Sequence, residues 1–286
     1  MPDPFPLLVP GATPDAELAE VHAPYDGSLI ATVERGGPQV VEQALDTAYR
    51  LFRDRDAWLS AAQRTDILRG AAAIMQERRD ELAVEAAREG GKPLVDSLVE
   101  VDRAIDGVHE CVEFLRTQHG EEVPMGLNAA STGRLAFTRH EPIGVVVAFS
   151  AFNHPLNLIV HQVGPAVATG CPCIIKPAEA TPLSGMRFVG ILREAGLPEG
   201  WCQGLLTTDL DVAGSLATDR RVGFFSFIGS ARVGWMLRSK LAPGTRSALE
   251  HGGAAPVLVA EDADLDQVLP LISKGGFYHA GQVCVS

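Results

Sequence analysis

Ile143-Gly144-Val145-Val146-Val147-Ala148-Phe149, which follows Glu141-Pro142, is the longest apolar run in the chain and has the length of a strand. The pattern of residues 156–169 is helical. A second apolar strand, Cys173–Lys176, precedes a helix expected over Ser184–Ala195. The alternation then repeats: a weaker strand at Gln203–Leu206 with a helix at Val212–Ala217, and a strand at Val222–Ile228 with a helix at Ala231–Leu241. Strands that are apolar almost throughout and alternate with helices imply a parallel sheet covered on both faces.

Outward from this core, residues 122–142 are punctuated by Gly120, Pro124, Gly126 and Gly133, which predicts an extended hairpin or linker. Residues 38–118 are helical: Pro38 suits a first helical turn, and Val41, Leu45, Ala48 and Phe52 recur at helical spacing. Further helices are expected around Ile67–Met75, over Leu82–Arg88 with a stop at Gly90-Gly91, and from Leu94 to Leu115. Residues 1–37 form an arm with short strands, turning at Pro24-Tyr25-Asp26-Gly27. Beyond the alternating region, a strand at Val257–Ala260 and a helix from Leu265 to about Tyr278 begin something further. The fold class is α/β: a Rossmann-like parallel sheet, preceded by a helical segment and followed by the start of a second α/β unit.

The 286 residues suffice for one large core or two smaller ones, and 46% hydrophobic with 21% charged residues is globular composition. The formal charge of −12 is not offset by any Lys/Arg cluster, which argues against nucleic acid and anionic membrane as partners. No apolar run approaches the roughly 20 residues of a membrane span. The N-terminus lacks a basic start and long apolar core, so no signal peptide is expected. Five irregularly spaced cysteines suggest reduced thiols in a cytoplasm. Cys171 and Cys173 are expected to pack as small hydrophobes. The histidines show no metal-ligand spacing, and no metal is expected.

Open parallel sheets bind ligands beyond the carboxyl ends of their strands. Lys176 and Glu179 lie there, and an ammonium beside a carboxylate can hydrogen-bond the diol of an adenosine ribose; a solvated ion pair is the simpler alternative. Gly229 and Ser230 open a helix after another strand, where a phosphate could approach backbone N–H groups, or where Ser230 merely caps. The chain has no G-x-G-x-x-G.

Phe152-Asn153-His154-Pro155, Lys176-Pro177-Ala178-Glu179, Ile228-Gly229-Ser230, Leu249-Glu250-His251-Gly252-Gly253 and Gly281-Gln282-Val283-Cys284 occur in that order. Together with Gly90-Gly91-Lys92-Pro93 and Glu141–Val146, the series resembles the NAD(P)-dependent aldehyde dehydrogenase superfamily over nearly the whole chain. The resemblance implies oxidation of a small-molecule aldehyde to a carboxylic acid through a thiohemiacetal and thioester. It implies Cys284 as nucleophile, Asn153 as donor to the oxyanion and Glu250 as the base that activates water. Lys176, Glu179, Gly229 and Ser230 would hold the cofactor, with Glu179 favouring NAD over NADP. Residues 1–252 would be the NAD(P)-binding domain, carrying an oligomerisation hairpin near 122–142, and 253–286 the beginning of a catalytic domain.

Members of that superfamily continue far beyond the cysteine, so the resemblance also implies C-terminal truncation, homo-oligomers at full length, and no aldehyde oxidation by the chain as it stands. A non-catalytic nucleotide-binding or oligomer-partner remnant and a thiol esterase using Cys284 and Glu250 are the alternatives. Departures from the pattern are His154, His251, Ala254-Ala255 and Thr207-Thr208-Asp209. His251 would either pack locally or adjust the proton affinity of Glu250.

Overall fold

The computed structural model describes residues 3–285. The arm forms an antiparallel pair, β1 (Leu18–His22) and β2 (Leu29–Glu34). Four helices follow: α1 (Pro38–Arg53), α2 (Ala61–Glu77), α3 (Arg79–Gly90) and α4 (Leu94–Thr117). Their ends are written in the sequence. Pro38 occupies the first turn of α1, where its missing N–H would have had no partner. Ser60 and Gln63 close a reciprocal capping box on α2, satisfying two otherwise orphaned donors. Gly91 ends α3 at φ 61°, a left-handed conformation that costs glycine little. The expected hairpin is present as β3 (Glu122–Val123) paired antiparallel with β4 (Ala136–Phe137).

The alternating region runs β5 (Val145–Phe149), α5 (Asn157–Thr169), β6 (Cys173–Lys176), α6 (Leu183–Glu194), β7 (Cys202–Gly204), α7 (Leu210–Thr218), β8 (Val222–Gly229), α8 (Ala231–Arg238) and β9 (Arg246–His251). These strands make one sheet, ordered β7-β6-β5-β8-β9, with every pairing parallel. Successive strands step outward from β5 in one direction and then restart beside β5 on its other side. The order reverses between β5 and β8, and such a reversal opens a crevice at the carboxyl ends of the two strands.

Side-chain alternation along the strands divides the core in two. Val146, Ala148, Cys173 and Ile175 face a layer built from α2 to α6. Val145, Val147, Phe149 and Ile174 face α1, α7 and α8. Both faces of β5 are therefore buried, as its unbroken apolar run requires. Cys171 and Cys173 are buried free thiols in this core. The start of α6 is held from α3 by buried Glu89, which accepts from the Leu183 and Ser184 N–H groups (2.8 and 2.9 Å) and from the Ser184 hydroxyl. Burial pushes the Glu89 carboxyl up to about 7, against the lowering effect of these hydrogen bonds.

One expectation is corrected. The strand expected at Val257–Ala260 does not form: these residues carry no ladder hydrogen bonds and are exposed. An apolar tetrapeptide becomes a strand only beside a partner edge, and none of the described residues supplies one. The sheet instead ends in β9, whose Arg246-Ser247-Ala248-Leu249-Glu250-His251 mixes charged with apolar residues. An edge strand pairs on one side only and tolerates such a composition. α9 (Leu265–Phe277) follows, buries none of its residues, and leads into a short 3-10 turn at Tyr278–Gly281. No helix among the described residues is long and apolar enough to cross a membrane.

Candidate active site

Strand register aligns the carboxyl ends of the sheet. Phe149 lies opposite Lys176 on one side and Phe227 on the other, and β8 pairs Ile228 with Glu250 and Gly229 with His251. Asn153 just after β5, Lys176 at the end of β6 with Glu179 beyond it, Gly229 at the end of β8 with Ser230 beyond it, and Glu250 on β9 thus border one edge of the sheet.

At β6, the Lys176 ammonium lies 3.4 Å from the Glu179 carboxylate and 5.8 Å from the centre of the Phe149 ring. Burial lowers the proton affinity of Lys176, and Glu179 partly restores it. At β8, the Ser230 hydroxyl caps α8 by accepting from the Val233 N–H at 3.4 Å. Gly234, one turn into α8, is in close approach to the His251 ring, and a β-carbon there would collide with it. His251 packs edge-on against Trp235 at 5.3 Å and Phe227 at 6.4 Å between ring centres. Of the two readings of His251, these contacts match local packing.

At the other side of the edge, the Asn153 carboxamide donates to the Gln282 carbonyl at 2.8 Å. Gly253, three residues after Glu250, lies directly against the Cys284 backbone carbonyl. These contacts gather Asn153, the end of β9 and the Cys284 segment in one place, with the Cys284 thiol free and exposed and Glu250 exposed. The turn before the cysteine is anchored from α4: the His279 N–H donates to Asp96 at 3.0 Å. His279 and Ala280 take φ of 50° and 55°, a region that non-glycine residues rarely enter. Gly281 continues the left-handed path at φ 74°.

Sequence reasoning missed the support beneath Asn153. The Lys92 ammonium pairs with Glu100, both side chains being buried, and also donates to the Asn153 carbonyl at 3.3 Å. The other Glu100 oxygen accepts from the Leu156 and Asn157 N–H groups at 2.9 and 3.0 Å. The loop between β5 and α5 is therefore held on both sides of His154, by Lys92 in the turn before α4 and by Glu100 on α4. The only sequence signal was the lysine in Gly90-Gly91-Lys92-Pro93, a stretch that also reads as a helix stop.

The residues at the β6 and β8 ends suit a dinucleotide. A carboxylate and an ammonium can meet a ribose diol, and α8 begins at the crevice where the strand order reverses. A doubly wound parallel sheet with a free thiol, a carboxamide and a carboxylate beside its carboxyl edge is the class of protein that fold and site define. The chain belongs to the aldehyde dehydrogenase family, whose sequence model matches residues 12–286. It is 36% identical over 271 residues to a 3-sulfolactaldehyde dehydrogenase of Priestia aryabhattai, covering 95% of this chain and 56% of that protein. An NADP-dependent enzyme of E. coli superposes with a TM-score of 0.90 at 31% identity, covering 99% of this chain and 58% of the other. An NAD-dependent benzaldehyde dehydrogenase of Corynebacterium glutamicum gives 0.85 at 30% identity, covering 95% and 59%. The chain thus spans somewhat more than half the length of these proteins.

Proposed function

We propose that the protein oxidises an aldehyde to a carboxylic acid with NAD(P)⁺, using Cys284 as nucleophile, Asn153 as oxyanion donor and Glu250 as base. The observation that carries this reading is the hydrogen bond from Asn153 to Gln282, which ties the carboxamide to the segment bearing the thiol. The Cys284 thiolate adds to the carbonyl carbon, and the π electrons pass to oxygen. The carboxamide N–H and the Cys284 backbone N–H stabilise that oxyanion where charge develops. Lys176, Glu179, Gly229 and Ser230 would hold the cofactor, whose nicotinamide would supply a hydride acceptor, so that the thiohemiacetal on Cys284 could become a thioester. Glu250 then takes a proton from water as the water attacks the thioester, and the thiolate departs. The balance is aldehyde, NAD⁺ and water giving carboxylate, NADH and two protons.

In this reading residues 1–252 bind the cofactor, residues 253–286 begin the catalytic part, and the exposed hairpin near 122–142 serves assembly of like chains. The test is NADH formation on mixing the protein, NAD⁺ and a panel of aldehydes. Extended to the length of its relatives, the protein should produce NADH and its Cys284→Ala variant none above background. Equal rates in the two would overturn the reading, as would Cys284-dependent ester hydrolysis in a protein that binds no nucleotide.

The cofactor should be NAD rather than NADP. The Glu179 carboxylate can accept from a ribose 2′-hydroxyl and would repel a 2′-phosphate. NAD should bind roughly tenfold or more tighter than NADP, about 1.4 kcal/mol, and Glu179→Gln should narrow the gap. Titration by NADH and NADPH fluorescence checks this. Equal affinity in wild type, or an unchanged ratio in Glu179→Gln, contradicts it.

A further inference from the structure

Beside Asn153, the rings of His154 and His279 face each other with centres 3.8 Å apart. His154 is 6% exposed, and His279 and Glu100 at most 1%. One ligand atom from each of Glu100, His154 and His279 lies within 4.8 Å of the others. Nδ1 of His154 is buried without a hydrogen-bond partner, and the buried ring nitrogens of His279 make no hydrogen bond of good geometry, the Asn153 backbone being the one acceptor near them. A buried imidazole nitrogen left unpaired is costly. One buried histidine with a free lone pair is unremarkable, but two adjoining rings, tilted by 40°, beside a carboxylate form a ligand set.

We propose that Glu100, His154 and His279 form a binding site for a zinc-type divalent cation. Two imidazoles and one carboxylate are a donor set that suits Zn²⁺, whose bonds of roughly 2.0–2.1 Å place ligand atoms roughly 3.3 Å apart in a tetrahedron. Closing the present separations requires the two rings to turn, and no strong hydrogen bond holds the His154 Nδ1 in place. The fourth position would be taken by water. Charges surrounding the site are Lys92, on Glu100; Arg103 and His161, toward His154; and Asp96, toward His279. Lys92 stays paired with Glu100 and keeps its bond to the Asn153 carbonyl. The cation would join the turn carrying His279, five residues before Cys284, to α4 and to the loop carrying Asn153. It would thus clamp the thiol segment to the sheet edge.

Protein stripped of metal by chelation and titrated with Co²⁺, a spectroscopic stand-in for Zn²⁺, should develop visible absorption of a tetrahedral centre at one equivalent. Zn²⁺ should bleach that absorption and raise the thermal midpoint. His279→Ala and His154→Phe should each weaken binding by more than about 100-fold, since loss of a mere outer-shell partner already costs 10–100-fold. His279→Ala alters a turn at the periphery of the fold, and His279→Asn provides a second variant should alanine perturb folding. Cys284→Ser should retain the Co²⁺ spectrum. Wild-type affinity in both histidine variants, no tetrahedral absorption, or loss of the signal in Cys284→Ser would overturn the proposal; the last would assign binding to the exposed thiol.

Discussion

Lys92→Met should lower the free energy of unfolding by about 3–5 kcal/mol. The side chains of Lys92 and Glu100 are 2% and 0% exposed, so water cannot take over when one partner is removed. Methionine keeps most of the volume and none of the charge, leaving a carboxylate in the core with only the Leu156 and Asn157 N–H groups. Burial lowers the proton affinity of the Lys92 ammonium, and Glu100 opposes that effect. The ion pair is therefore a balance of desolvation and attraction, and removing both charges should cost far less than removing one. Lys92→Met combined with Glu100→Gln should recover most of the loss. Urea denaturation followed by circular dichroism measures this, with an unchanged slope required for comparison. A single-variant loss below about 1 kcal/mol, or a double variant as unstable as the sum of the two, would contradict the account.

In the protein extended to the length of its relatives, Glu250→Gln should slow steady-state turnover by roughly 10² to 10⁴, the usual worth of a general base. The effect should fall on thioester hydrolysis, not on hydride transfer. A rapid burst of NADH, one equivalent per site, should precede the slow phase. Glu250 sits at the end of β9, three residues before the glycine that touches the Cys284 carbonyl, so the substitution leaves the thiol free to react. Disappearance of the burst with substrate binding intact would move Glu250 to an earlier step, activation of Cys284.

The buried parallel strands were legible because β5 and β6 lie between two helical layers and must be apolar on both faces. Asn153, Glu250 and Cys284 were legible as residue types in an ordered series, and the fold gathers their segments at one edge. Strand β9 was not legible, because an edge strand with charged residues carries no apolar run. Val257-Leu258-Val259 misled for the converse reason: strand-forming residues do not make a strand where no edge adjoins them. The Lys92–Glu100 and His154–His279 pairs were hidden because each joins segments remote in sequence or periodicity. Packing of α4 against α5 and of the turn at Tyr278–Gly281 on α4 brings His154 and His279 beside Glu100.

The central claim is that Cys284 carries the substrate as a thioester. Glu250→Gln protein should be mixed with NAD⁺ and a reactive aldehyde, quenched in acid within the burst, and digested for peptide mass spectrometry. The account predicts that the peptide containing Cys284 gains the mass of the acyl group, in an amount matching the NADH formed, with no adduct when NAD⁺ is omitted. NADH formed without any acyl group on Cys284, or an adduct on another cysteine, would contradict it.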